Sequence, residues 1–438
     1  MYVRLAFILG GLEGTNLLLT LLIQWIVITE LGVGIETDAF FAGMALPQLI
    51  LIVVSLSLTH VLVPLLATED EDTFRRDAWG FFLGIGGLFT GVAAVLFATA
   101  DYWVPLLFPG FTEEGQALAI TLTRIQVVSM VFTAACAVLW SVYHARQRFI
   151  WAELSPLLSN VSGLLLLVWL LPLYGIIAAA WITVFRTGLQ LVWLLPVLGH
   201  WQRPQWRSPT MLKAWRRVKL PLVGTAYYKT DPLVDRLLSS MAPVGGLSLL
   251  YVGQQLYSAA NQIINKAISA PMVPLLAIQV KAGDWPAFRR SYRKRLLWMG
   301  GISSLGYLVL LLFGEPLLSL VIGQGSVTEE NVETLWWIMV ALGGALIGGA
   351  MGQITSTAFY AMGDTRTPTV MSIWTFSFYI PIKFLVFFYS GLIGLAASVS
   401  VYFMVNFVVQ ALLLEKGISL NAGVKHEQPN DHLGKAEK

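Results

Sequence analysis

Charged side chains are scarce in this sequence. Asp, Glu, Lys and Arg make up 12% of its 438 residues and hydrophobic residues 56%, where a soluble domain has about 25% charged residues. So apolar a chain is an integral membrane protein. Cysteine occurs once, as Cys136 in an apolar stretch, which excludes an internal disulfide and leaves a small core residue. Neither a phosphate-binding loop of the GxxxxGK[ST] type, nor a metal-ligand cluster, nor a nucleophile elbow occurs. The opening MYVRLAFILG resembles a signal peptide, but no small-residue cleavage site follows, so it reads as a retained first helix. Basic residues are missing altogether from six connections, 31–37, 101–116, 172–175, 241–246, 323–334 and 389–391. These connections are short, hold a few acids and no histidine, and leave no room for a catalytic domain. The chain therefore reads as a transporter and not an enzyme.

What is present is sorted by side. Of the 28 lysines and arginines, all but six fall at the chain ends or on the connections that alternate with those six. Cytoplasmic loops retain Lys and Arg, so both termini are expected in the cytoplasm and the number of spans is even. The same pattern makes the basic residues topogenic and gives no reason to expect nucleic acid. Hydropathy predicts spans over 5–30, 39–66, 78–100, 117–143, 152–171, 176–199, 219–240, 247–280, 296–322, 335–362, 369–388 and 392–414, each long enough for about 20 residues of bilayer. Val63-Pro64-Leu65-Leu66-Ala67 closes the second span and Val273-Pro274-Leu275-Leu276-Ala277 closes the eighth. Equivalent spans enter from the same side, as in parallel-repeat transporters. The fold class read from this is an all-α polytopic membrane protein, with about twelve helices in two six-helix lobes around a central cavity. The expected divisions are an N-terminal lobe over 1–200, a basic cytoplasmic linker over 201–218, a C-terminal lobe over 219–415 and a polar cytoplasmic tail over 416–438.

The six remaining cations, Arg124, Arg186, Lys229, Arg236, Lys266 and Lys383, lie inside apolar stretches. Arg124, close to a span end, and Lys383 read as structural. Span one carries Glu13, Asn16, Thr20 and Gln24 on one narrow face. Span eight carries Tyr251, Gln255, Ser258, Gln262, Asn265, Lys266 and Ser269 on another. Span seven packs Lys229, Asp231, Asp235 and Arg236 into eight residues, and span six holds Arg186. Against lipid each such group costs a few kcal/mol, so the stripes face helices or a water-filled cavity. The substrate-binding candidates are Lys229, Arg236, Lys266, Arg186, Gln255, Gln262, Asn16 and Gln24. The ion-coupling candidates are Asp38, Asp231, Asp235 and Glu13, and no metal site is read.

Four stretches, in order along the chain, carry a resemblance. They are Thr37-Asp38-Ala39-Phe40-Phe41, Phe108-Pro109-Gly110-Phe111, Val234-Asp235-Arg236 with Leu237-Leu238-Ser239-Ser240, and Ala358-Phe359-Tyr360-Ala361-Met362-Gly363-Asp364-Thr365-Arg366-Thr367-Pro368. Together they resemble the MurJ/MviN family of lipid II flippases, within the MOP exporter superfamily that also holds MATE pumps. The resemblance runs from about residue 5 to 415. It implies two six-helix lobes, a cavity lined by spans one, two, seven and eight, and transfer of undecaprenyl-diphosphate-linked peptidoglycan precursor from the inner to the outer leaflet. It also implies a bacterial inner-membrane location, a polyprenyl-diphosphate-linked glycan as substrate, the bilayer and the cell-wall synthesis machinery as partners, and no cofactor beyond coupling to membrane potential or a monovalent cation. The family places arginines in its cavity where this sequence reads Ile23-Gln24, Ile50-Leu51-Ile52 and Gln254-Gln255, and it carries two further helices. Cationic donors for a diphosphate would then come from Lys229, Arg236, Lys266 and Arg186. The alternatives on the same fold are a flippase for another polyprenyl-diphosphate-linked polysaccharide unit and a MATE-like drug or cation antiporter.

Overall fold

The computed structural model describes residues 2–67, 70–206, 208–216, 227, 229–269 and 272–424. The Lys266 side chain and the tail beyond residue 424 lie outside the described residues. Among the described residues there are helices and no strand. Seven helices are long and apolar enough to cross a membrane, and two of them are of double length. The helix α7 (Phe149–Leu194) breaks at Gly175, with φ 59° and ψ −148°. Trp151 donates to the Trp193 carbonyl at 2.9 Å and Gly163 lies against Arg186, so the two halves run antiparallel as spans five and six.

The last helix repeats that design. It spans Arg366–Val424 and breaks at Gly391, with φ 59° and ψ −145°. Tyr379 stacks on Tyr402 at 4.5 Å, so its halves are spans eleven and twelve. A β-carbon is strained at positive φ, which is why both one-residue reversals are glycine. Their matching angles, at corresponding connections of the two halves, are the internal repeat in backbone form.

The remaining elements follow in order. Span one is α1 (Tyr2–Leu31) and span two is α2 (Ile35–Gly43) with α3 (Ala45–Leu66). Span three is α4 (Glu71–Ala98), a short α5 covers Ala100–Leu107, and span four is α6 (Glu113–Ala145). After α7 come α8 (Asp231–Ser240) in span seven, α9 (Gly246–Ile268) and α10 (Met272–Ala282) in span eight, and α11 (Trp285–Val321) as span nine. Span ten is α12 (Glu329–Ala341) with α13 (Gly343–Ala361), and α14 is the Arg366–Val424 helix. Each of the twelve expected spans thus contains helix. Two details differ from the sequence reading. Connection 101–116 holds the helix α5, and α14 continues helical to Val424 where the polar tail was expected from 416.

Polar side chains set the helix ends and breaks. Asp70 accepts the Thr73 N–H at 3.2 Å and Thr112 accepts that of Gly115 at 3.2 Å, each capping the helix that follows. Hydrogen bonding to Thr73 holds the exposed Asp70 carboxyl below the usual range. At the α12–α13 break, Ser400 Oγ donates to the Ala341 carbonyl and accepts the Ala345 N–H at 3.0 Å, supplying partners for backbone groups that a break exposes.

The chain packs as two compact units. One comprises Met1–Val252 with Leu318–Thr334, the other Gly253–Leu317 with Leu335–Lys438. The first has a core around Leu62, Leu139, Val142 and Leu194, the second around Met272, Phe288, Tyr292 and Ile354. Apolar side chains are also turned outward. Leu165, Trp169 and Leu173, four residues apart on α7, are 69%, 67% and 63% exposed, a lipid-facing stripe that water would not favour. Arg124 serves structure, as expected: it pairs with Asp101 at 2.6 Å and donates to the Phe97 carbonyl. Lys383 is fully buried, its Nζ 4.9 Å from the Tyr379 ring centre.

Candidate substrate site

The first unit gathers four polar side chains from four other spans around Tyr251, which is buried near the start of α9. Gln24, from α1, donates through Nε2 to the Tyr251 hydroxyl at 3.2 Å. Phe41, from α2, stacks on the ring at 4.3 Å. On another side Arg236, from α8, holds its guanidinium carbon 5.1 Å from the ring centre and donates from Nη2 to Gln48 Oε1 at 2.8 Å. The buried Arg236 is thus fixed by one amide and one aromatic ring, a cation–π pair.

Arg186 completes the group, within electrostatic reach of Tyr251. Its stem lies in a notch that exists because residue 163 is glycine: a β-carbon there would overlap Cγ and Cδ of Arg186. Its Nε and Nη1 are enclosed and make no hydrogen bond to the protein. Enclosing a cation without a partner costs several kcal/mol, and donors so placed offset that cost when an anion binds. Guanidinium donors of this kind are chemically suited to an anion, and Gln24 and Gln48 add neutral donors and acceptors beside Tyr251 and Arg236.

The other expected residues are distributed more widely. Lys229 and Asp231 stand half-buried at the start of α8, midway along span seven, while Asp235 is buried next to Arg236. Asn16 donates to the Glu153 carbonyl at 3.2 Å, tying α1 to α7, and Glu13 is half-buried one turn before it. Gln255 and Gln262 belong to the second unit, half-buried and exposed respectively. Tyr251, Gln48 and Gly163 were not among the expected site residues.

Asp38 sits elsewhere, at the end of the first unit that carries connection 31–37. Its Oδ2 accepts the Gly245 N–H at 2.7 Å, and its Oδ1 accepts the N–H and hydroxyl of Ser248 at 2.8 and 2.6 Å. The carboxylate therefore caps the first turn of α9, where orphan N–H groups and the helix dipole favour negative charge. Nearby, Ser326 donates from its backbone to the Thr29 carbonyl at 2.8 Å and from its hydroxyl to that of Glu30 at 3.0 Å. Trp25 donates to the Val321 carbonyl. The end of α1 is thereby fastened to the 318–334 segment.

The family model described as "Lipid II flippase MurJ" matches residues 27–427. The chain belongs to the MurJ family. Its similarity to individual members is low but extensive. It is 24% identical to the probable lipid II flippase MurJ of Vibrio cholerae, over 92% of this chain and 80% of that one. To its counterpart in Thermotoga maritima it is 26% identical, covering 75% and 67%, and to that of Buchnera aphidicola from Acyrthosiphon pisum 22%, covering 86% and 77%. Among solved structures, a lipid II flippase MurJ in an inward closed conformation superposes with a TM-score of 0.84 at 16% identity, covering 95% of this chain and 91% of the other. An inward-facing MATE multidrug transporter of the MOP superfamily reaches 0.78 at 14% identity, covering 97% and 100%. The fold of this MurJ family member is therefore that of the MOP exporters, as its sequence motifs implied.

Proposed function

We propose that this chain is a lipid II flippase that carries undecaprenyl-diphosphate-linked peptidoglycan precursor from the inner to the outer leaflet by alternating access. Family membership supports the activity, and the site around Tyr251 supports the cargo. The observation that carries the reading is Arg186: a half-buried cation whose enclosed Nε and Nη1 no protein atom accepts, in the same unit as the buried Arg236 beside Tyr251. A diphosphate meets that need, and the amides beside it suit sugar hydroxyls. A MATE-like antiporter shares the fold, but the buried Arg236 and half-buried Arg186 favour an anionic cargo over a cationic one. In this reading the protein lies in a bacterial inner membrane with both termini in the cytoplasm and works beside the cell-wall synthesis machinery. Membrane potential or a monovalent cation drives it, with Glu13, Asp231 and Asp235 as coupling groups. Asp38 acts as the latch of the outer end, released from α9 when that end opens.

Expression in a bacterium depleted of its own MurJ tests the reading. Growth and lipid II exposure on the outer leaflet should both be restored. Well-inserted protein that restores neither would shift the assignment to another polyprenyl-diphosphate-linked glycan. Sidedness is checked separately: a cysteine placed at position 328 should label from outside and one at 210 should not.

A further inference from the structure

Topogenic bias accounts for the number of basic residues between Lys281 and Arg295 but not for their arrangement. A count of cations beside a span is enough to orient it; placing them on one face is not required. At the start of α11, Arg289, Arg290, Arg293, Lys294 and Leu297 fall within an arc of about 140°. They form one wall of an open groove of about 600 Å³. Trp285, at the start of α11, and Ser419, near the end of α14, line it as well.

Among the described residues a single carboxylate pairs with this cluster. Glu415 accepts from Arg289 Nε at 2.8 Å and from Arg293 Nε at 2.7 Å, leaving Arg290 and Lys294 exposed. Like charges four residues apart repel one another, so four cations around one carboxylate retain an excess of positive charge that a further anion would relieve. The next turns are apolar and outward-facing: Leu297 is 73% exposed, Trp298 62%, Leu305 62% and Leu312 62%. A basic groove that opens directly onto a lipid-facing stripe matches an amphiphile with a phosphate at one end and hydrocarbon at the other.

We propose that this groove binds the phosphate headgroup of an anionic phospholipid of the inner leaflet, with its chains along the α11 stripe. The site lies within the second unit and is independent of which lipid the protein carries. Purified full-length protein in neutral detergent provides the test, by thermal unfolding with added phosphatidylglycerol, phosphatidylcholine of the same chains, or inorganic phosphate. Phosphatidylglycerol should raise the Tm and the other two should not. The double variant Arg290→Gln/Lys294→Gln should raise the phosphatidylglycerol needed for half the effect by roughly thirtyfold, at about fivefold per surface cation. The double variant Lys213→Gln/Arg216→Gln, on the exposed linker, should leave it unchanged. Should the first double variant fail to fold, Ser419→Glu adds a carboxylate to the groove without removing a cation and should weaken the response in the same direction. Equal stabilisation by phosphatidylcholine or by inorganic phosphate would overturn the proposal. So would a response that survives Ser419→Glu and the double variant, or one that the linker variant weakens equally.

Discussion

In the second unit, Ser356 donates to Gln410 at 2.9 Å and Gln410 donates to Asn406 at 2.7 Å, a neutral chain in which each group meets the next. In the first unit, the polar group drawn around Tyr251 contains two guanidiniums, and one of them keeps two enclosed N–H groups without a protein acceptor. The first arrangement ties α13 to the second half of α14 as interhelical hydrogen bonds do elsewhere in membranes. The second does not improve packing: it places charge where packing alone would exclude it. The comparison separates two uses of intramembrane polarity, which composition and helical periodicity treat alike. A satisfied amide chain holds helices together, whereas a cation with enclosed donors left unsatisfied is, in the proposed function, the group that meets the cargo.

The contrast is broken most directly at Arg186. Changing Arg186→Gln should lower lipid II exposure roughly ten- to hundredfold, the scale of a charge-assisted hydrogen bond, and should leave the Tm unchanged or higher because an enclosed charge is gone. Normal transport by this variant would remove Arg186 from the site. Gly163→Ala comes next. It should displace the Arg186 stem and lose much of the same activity, yet add little in an Arg186→Gln background; full additivity in that double-mutant cycle would show that Gly163 acts by another route. The reverse pattern is expected at Gln410, where Gln410→Ala should cost about 1 kcal/mol of stability, read as a lower Tm, with transport per folded molecule retained.

The smallest effect sharpens the comparison outside the membrane. Asp364 accepts the N–H groups of Arg366 and Thr367 at 3.0 and 2.9 Å, at the start of α14. Partial burial pushes its carboxyl up, but hydrogen bonds from Thr367 and Arg366 and the Arg366 charge together hold it below the usual range. A carboxyl lowered on folding stabilises the fold above its unfolded pKa, and that contribution disappears as pH falls through the folded value. Asp364→Asn should therefore flatten the acid limb of a Tm-against-pH curve, by less than about 1 kcal/mol.

Much of this was legible in the sequence, for identifiable reasons. Hydropathy and charge sidedness act along the chain, so they located the spans and the two short connections that became the Gly175 and Gly391 reversals. An ionisable residue inside an apolar stretch is conspicuous, which singled out Arg186 and Arg236. Tyr251 was legible only as one member of a stripe, because a tyrosine at helical spacing does not reveal that Arg236, Gln24 and Phe41 meet on it. Gly163 gave no signal at all: its contribution is the absence of a side chain opposite one particular arginine. Asp38 drew attention as an embedded acid, but its role as a cap depends on the start of a helix more than 200 residues later. The α12–α13 break was hidden because hydrophobicity continues through it while Ser400, from span twelve, supplies the missing partners.

The 318–334 segment imposes an order of assembly. It begins in the last turn of α11, deep in the second half of the chain, yet it belongs to the first unit and grips the end of α1 through Ser326 and Val321. Domains generally fold as they emerge from the ribosome, N-terminal first. Here the first unit cannot be completed on that schedule: the end of α1 waits for partners that leave the ribosome roughly 300 residues after it. Through that interval the nascent chain carries an unfinished first unit, and a membrane chaperone that shields the end of α1 would have its longest task there.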